Sequence, residues 1–301
     1  MRDKIIVIGS LNYDIILKLA KLPDLGETLP ANDVAFSAGG KGANQAVQAA
    51  KLGVKTYMAG CVGMDAMGDF LLEAAEKYGV DTTYIRRVEA PSGMGIVNAM
   101  DDGGVFATIV RGANFEITKD DIDRIVPLMD EAGLLILQME IPQEINRYAI
   151  DCAKKHGCRI LLNAAPAAAL EEQYLRKCDI LVVNEVEASF YAEKSIETMK
   201  MAQKEACYMA EKYGNTVIIT MGKDGAAVSD GERSEQIPSM KVKAIETTGA
   251  GDSFIGGVGY ALMEEMDIFE ACHFATKCSA ATVCRLGAQP SMPTLEELKE
   301  M

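Results

Sequence analysis

The residues best suited to chemistry lie in one run, Glu246-Thr247-Thr248-Gly249-Ala250-Gly251-Asp252-Ser253-Phe254. Glycines at 249 and 251 leave backbone N–H groups free to face an anion. A small-residue helix expected to start there (FIGGVGYALMEE) adds its positive dipole end. Gly249, Ala250 and Gly251 would thus form a cradle that stabilises charge on a group in transfer. Asp252, at the helix entrance, is placed to take the proton of an attacking hydroxyl. An isolated run of this kind reads as readily as a capping aspartate after a glycine turn. Other segments decide between the two.

Gly39-Gly40-Lys41-Gly42-Ala43-Asn44-Gln45 sets three glycines around a lysine just before a helix. The glycines allow the backbone to approach a ligand closely, and Lys41 and Asn44 carry donors suited to hydroxyl groups. The spacing is not that of a Walker A loop. Asn12 and Asp14 follow the first strand, and Glu140 follows LLILQM, both at the strand ends where open α/β sheets bind ligands. Asn184 and Glu187, past ILVV, could hold phosphate oxygens and the waters of a magnesium ion, or form an ordinary helix cap. Thr220-Met221-Gly222-Lys223-Asp224-Gly225 is a glycine turn between strands that could lie under a nucleotide, and Gly287-Ala288-Gln289-Pro290-Ser291 is a loop near the C-terminus.

These pieces need a frame that brings strand ends together. KIIVIG (4–9) reads as a strand covered on both faces. Helices are expected over 42–53, 68–79, 143–157 and 198–214, alternating with strands at 55–60, 134–138, 159–163, 180–183 and 216–220. KVKAIE (241–246) also reads as strand-like. The alternation predicts an α/β fold with a mainly parallel central sheet between helices. Two stretches, 12–38 and 93–111, are strand-like with no helix between, and MGIVNAM and VFATIV flank a hairpin signal at Asp101-Asp102-Gly103-Gly104. A small antiparallel sheet standing off the main body would hold both. The expected division is 1–10, 39–92 and 112–301 for the body, with 11–38 and 93–111 as a lid.

With 301 residues, 49% of them hydrophobic, the chain can bury a substantial core. A formal net charge of −14 and no basic run argue against nucleic acid and anionic membranes as partners. Any anionic substrate must be held by local devices. Eight cysteines without a CxxC pair lack zinc spacing and read as reduced thiols of a cytoplasmic protein. No apolar run reaches the ~20 residues of a membrane span.

In this order the segments resemble the ribokinase, or PfkB, family of carbohydrate kinases, from GSLNYD to GAQPS. GGKGANQAVQAAKLG, RGAN (111–114), QME (138–140) and LGAQPS (286–291) are most similar to ribokinases proper. The resemblance implies that Asn12, Asp14, Gly40, Lys41, Asn44 and Glu140 hold a sugar. It implies that Asp252 is the general base beside an anion hole at Gly249–Gly251. Asn184, Thr220, Gly222, Lys223, Gly225, Gly251 and Thr276 would contact ATP, with Glu187 near Mg²⁺. Glu246, Thr248, Thr282, Arg285, Gly287 and Ser291 would surround a monovalent cation, K⁺, although Glu246 stands where an aspartate is usual. The lid would also pair two subunits as a homodimer.

The expected reaction is transfer of the ATP γ-phosphate to the primary hydroxyl of D-ribose. Another sugar, a deoxypentose, a nucleoside or a sugar phosphate is the alternative acceptor, motivated by Arg111 and by Asn98 in a lid strand. A ligand-binding sensor without catalysis is a more remote alternative, opposed by the intact Asp252. A dinucleotide-binding dehydrogenase is excluded because GxGxxG is missing after the first strand.

Overall fold

The computed structural model describes residues 2–100 and 105–301. The strands are β1 (Lys4–Ile8), β2 (Asn12–Leu19), β3 (Asp33–Gly39), β4 (Lys55–Gly63), β5 (Val80–Val88), β6 (Gly93–Met100), β7 (Val105–Val110), β8 (Ala132–Leu137), β9 (Arg159–Asn163), β10 (Ile180–Asn184), β11 (Thr216–Thr220), β12 (Ala226–Ser229) and β13 (Ser234–Ile237). The helices are α1 (Lys41–Lys51), α2 (Ala66–Lys77), α3 (Lys119–Met129), α4 (Gln143–Lys155), α5 (Glu172–Leu175), α6 (Glu185–Ala192), α7 (Met199–Tyr213), α8 (Ala250–Met263), α9 (Ile268–Val283) and α10 (Leu295–Lys299).

A nine-stranded sheet runs in the order β13-β12-β11-β10-β9-β8-β1-β4-β5, parallel except where β12 and β13 join antiparallel. Its inner strands are apolar without alternation because both faces are covered. Ile5 and Val7 pack with α1, α2, α8 and α9 on one face, and Ile6 and Ile8 pack with α3, α4 and α7 on the other. Period-2 side-chain geometry thus splits one short strand between two cores.

The strand order reverses at β1. The chain leaves β1 toward β4 and β5, then returns to β8 on the other side. The helix after β1, α1, lies on one face, and the helix after β8, α4, lies on the other. A crevice therefore opens between the C-terminal ends of β1 and β8, at the topological switch point.

A second sheet, in the order β3-β2-β6-β7, holds the two stretches without helices. β2 and β6 run parallel, and the outer pairs are antiparallel. β6 and β7 form the expected antiparallel pair; the Asp101–Gly104 turn signal lies outside the described residues. The register puts Asp14, Ser37, Gly95 and Ile109 on one face, and Leu17, Val34, Asn98 and Phe106 on the other.

Two local readings are corrected. KVKAIE is not a strand: Val242 and Ile245 face solvent, and the Ile245 and Glu246 amides both donate to the Val283 carbonyl at the end of α9. β5 escaped the reading because VDTTYIRRV, at the sheet edge, mixes polar and apolar residues without a clear period. Among the described residues no helix is long and apolar enough to cross a membrane. All eight cysteines are unpaired, six of them buried.

α1 and α8 approach closely at Gly256. A methyl group there would lie 2.5 Å from Gln48 Cβ and 2.9 Å from the Gln45 carbonyl oxygen. Alanine in place of glycine favours a helix by roughly 1 kcal/mol, but forcing two backbones apart costs about 1–3 kcal/mol. Gly256→Ala should therefore lower the thermal unfolding midpoint. It should lower turnover more steeply, because Asn44 and Gln45 on α1 are drawn back from α8. Thermal denaturation and a turnover assay check both; an unchanged midpoint would show that the helices absorb the methyl group.

Candidate active site

Six of the residues singled out from the sequence stand at successive strand ends around the crevice. Asn12 and Asp14 follow β1, and Glu140 follows β8. Asn184 closes β10 and Thr220 closes β11, while Lys41 opens α1 beside β1. Across the switch point Ser10 Oγ donates to Glu140 Oε2, and the Lys41 amide lies 3.2 Å from the same oxygen.

The three glycines around Lys41 let the chain pack closely on itself. Their α-carbons press on the chain's own backbone and side chains. An added methyl group would meet the Asn12 amide at 2.7 Å from Gly40 and the Ser10 amide at 2.7 Å from Gly42; at Gly39 it would meet the Asp14 carboxylate. The crossing from β1 into β2 is thereby laid directly against the start of α1. Gly40 also holds φ at +89°, open to few residues other than glycine.

Asp252 is the third residue of α8, not its cap. Gly249, with φ +79°, occupies the cap position. The Ala250 amide already donates to Thr247 O at 3.2 Å, and Ser253 N starts the helical ladder on Gly249 O. The amides of Gly249, Gly251 and Asp252 have no acceptor among the described residues, so the available donors differ from the Gly249–Gly251 set by including Asp252 and losing Ala250. Nothing stands within 4 Å of a methyl group built on Gly251. The open side of this turn is where an anion has room.

The Asp252 carboxylate is buried and held by α1. Asn44 Nδ2 donates to Oδ2 and Gln45 Nε2 to Oδ1, both at 2.9 Å. Gln45 also donates to Asn163 Oδ1 at 3.0 Å, and receives Gln138 Nε2 on its own oxygen at 2.8 Å. Gln289 Nε2 reaches Asn44 Oδ1 at 3.2 Å.

Charge is crowded here. Lys41 loses solvation on burial, yet the carboxylates of Asp252, Glu140 and Glu187 more than offset this and hold its ammonium above the ordinary lysine range. Asp14 is pushed up to about 7, by burial first and then by Glu140 and Asp252. It has no hydrogen-bond partner among the described residues; its oxygens lie over the α-carbons of Gly39 and Gly95. Asn12 Oδ1 accepts from Asn114 Nδ2 at 2.7 Å, which turns the Asn12 amino group the other way.

Asn184 and Glu187 form a reciprocal capping box on α6: Asn184 Oδ1 takes the Val186 and Glu187 amides, and Glu187 Oε2 takes the Asn184 amide. The second Glu187 oxygen has no partner among the described residues. Burial raises its carboxyl above the usual range, against the pull of the Asn184 amide and Lys41. Thr220 Oγ1 bonds back to Val183 O at 3.4 Å, Gly222–Asp224 make one tight turn, and Gly225 packs on the Ile237 carbonyl. Thr276 spends its hydroxyl on His273 O, 2.8 Å away.

Of the residues expected around a monovalent cation, Glu246 and Gly287 meet, the Gly287 amide donating to Glu246 Oε2 at 2.8 Å. The side chains of Thr282, Ser291 and Arg285 turn elsewhere: Thr282 Oγ1 to Ser253 Oγ, Ser291 Oγ to Ala288 O, and Arg285 to Glu297. Thr248 is exposed. No group of three or more acidic, Cys or His side chains able to hold a metal occurs among the described residues. Asn98 lies on the small-sheet face opposite Asp14, and Arg111 stacks over Phe115 at 4.5 Å, so neither is gathered with the Asp14 cluster.

Sequence reading missed Gln45, Gln138, Asn163, Gln289 and Asn114, all buried amides. Gln138 and Asn163 did leave a signal, a polar residue ending the apolar runs LLILQ and ILLN; the others left none.

The chain matches the model for pfkB family carbohydrate kinases over residues 2–295. It is 36% identical over 301 residues to the deoxyribokinase of Salmonella typhimurium, covering 98% of this chain and 97% of that one. Ribokinase of Haemophilus influenzae is 35% identical, with 100% of this chain and 98% of the relative covered. Among solved structures, Arabidopsis thaliana ribokinase complexed with ribose and ATP superposes with a TM-score of 0.91 at 33% identity, covering 100% of this chain and 98% of that one. Full-length matches at this identity, together with an Asp at a glycine-lined helix start in the switch-point crevice, establish that the chain belongs to the PfkB family of carbohydrate kinases.

Proposed function

We propose that the protein transfers the γ-phosphate of ATP to the primary hydroxyl of D-ribose, giving D-ribose 5-phosphate. The observation that carries this is Asp252 at the start of α8, beside free amides and next to the Asn12, Asp14, Lys41 and Glu140 cluster. In this reading those four residues, with Gly40 and Asn44, bind the sugar. The small sheet (11–38 and 93–111) closes over it as a lid, with Ile16, Val97 and Ile109 on the same face as Asp14. Ring-hydroxyl donors suit the unpartnered Asp14 carboxylate.

ATP lies along the ends of β10 and β11, against Asn184, Thr220, the 222–225 turn and Thr276. The sugar O–H bond and the bond from the γ-phosphorus to the β,γ-bridging oxygen break as the new O–P bond forms, and ADP leaves. The hydroxyl proton goes to Asp252, and the amides of Gly251 and Asp252 take up the charge on the phosphoryl oxygens. Glu187, a buried carboxylate with a spare oxygen, would hold Mg²⁺ through its waters. When bound, that ion supplies charge neutralisation. K⁺ beside Glu246 and the Gly287 loop fits less directly, since one Glu246 oxygen is already engaged.

The deoxyribokinase relative favours a second acceptor, 2-deoxyribose. The outer face of the lid exposes Val34, Phe36 and Phe106, which supports pairing with a second copy. The unpaired cysteines suit a reducing cytoplasm.

Asp252→Asn should lower kcat by about 10²–10⁴-fold with sugar affinity retained. Steady-state kinetics and calorimetry of sugar binding read the two separately; near-normal turnover would remove Asp252 as the base. Asp14 carries its acceptor charge only above its raised value of about 7. The KM for sugar should therefore fall as pH rises through that region, and Asp14→Asn should flatten the trend. A pH-independent KM in the unsubstituted enzyme would argue against a sugar contact at Asp14. A turnover panel of ribose, 2-deoxyribose, other sugars and nucleosides, with and without K⁺, ranks the acceptors; ribose should give the highest kcat/KM.

A further inference from the structure

A carboxylate only accepts hydrogen bonds. Asn44 and Gln45 must therefore both present their amino groups to Asp252, as they do. That choice turns their carbonyl oxygens outward, where each needs a donor. Gln289 supplies one to Asn44 and Gln138 supplies one to Gln45. These two amides in turn face outward with their own oxygens, Gln289 Oε1 and Gln138 Oε1, both buried and without a partner among the described residues. Reversing either outer amide would set two carbonyl oxygens face to face further in. The orientation of every amide in the chain is thus imposed from Asp252 outward.

We infer that Gln45, Gln138 and Gln289 are positioning residues that act through Asp252. Resting on the reading of Asp252 as the base, the proposal adds what aims it. One inward lone pair on each carboxylate oxygen is occupied by an N–H group. The proton released by the sugar hydroxyl must then settle on the cleft side of the carboxylate. Inward, Asp252 meets only donors and has no group to pass it to, so the proton leaves by the cleft with the product. Among the described residues Gln138 and Gln289 hydrogen-bond to neither Asp252 nor each other, yet each orients an amide that does bond to Asp252. Gln289 also lies in the 287–291 loop, whose first amide Glu246 holds, so that loop is tied to the base through a side chain.

The test places Gln45→Leu and, separately, Gln138→Leu in the full-length enzyme and in its Asp252→Asn variant. In the Asp252 enzyme, Gln45→Leu should lower kcat by on the order of 10²-fold, and Gln138→Leu by less, with the KM for sugar and ATP within about two-fold. In the Asp252→Asn background, with residual turnover followed by radiolabelled ATP, neither should lower kcat further. Equal losses in both backgrounds, a loss confined to KM, or no loss would each overturn the proposal. Circular dichroism confirms folding, and Gln138→Leu keeps the test open if Gln45→Leu does not fold. A near-normal Asp252→Asn enzyme would instead strike the assignment of the base, a result read from that single variant alone.

Discussion

Carboxylates outnumber ammonium groups in the cleft, and the rest of the site is arranged around that imbalance. Asp14, Glu140, Glu187 and Asp252 all act electrostatically on one another or on Lys41, which sits at the opening of α1. Unpaired buried charge is costly. Each acid meets it differently: Asp252 takes two amide donors, Glu187 a backbone amide, Glu140 a serine hydroxyl and the Lys41 amide. Asp14 has none of these among the described residues, and burial with the charges of Glu140 and Asp252 pushes its carboxyl up to about 7. A sugar, rich in hydroxyl donors, is the kind of ligand that completes such a set.

The phosphate end works by opposite means. A protein with net charge −14 does not draw ATP by its overall field. Local dipoles must serve, and the start of α8 offers unspent amides around an open Gly251. The proposed base and the anion cradle come from the same turn. Their spacing is therefore set by helix geometry.

The small sheet has a different status from the large one. Its upper face carries Asp14 and an apolar lining, and its outer face meets the body where Tyr13 packs edge-on against Phe70 of α2, while Tyr13 also packs on Phe36 within the sheet. Farther out, Val34 and Phe106 face solvent. A sheet with two partly apolar faces and only four strands gains little from burial of its own.

Much of this was legible in the sequence. Apolar runs bounded by glycine gave the parallel strands, because a strand covered on both faces has no polar side to show. GAGD and GGKGAN gave the two halves of the site, because helix starts beside glycine leave a local trace. One interpretation failed because the partner of a residue is absent from its own segment: KVKAIE is exposed and bonded to α9. For the same reason the second use of the GGKG glycines, to receive the chain's own β1–β2 crossing, does not show in GGKG itself. The amides that grip Asp252 are separated from it by up to 208 residues, and neither helix announces the other. Composition, the strand and helix runs and the identity of the reactive side chains follow from local chemistry, which the sequence determines alone. The direction of every hydrogen bond around Asp252 depends on which amides the packing of α1 against α8 brings within 3 Å, and only the tertiary structure decides that.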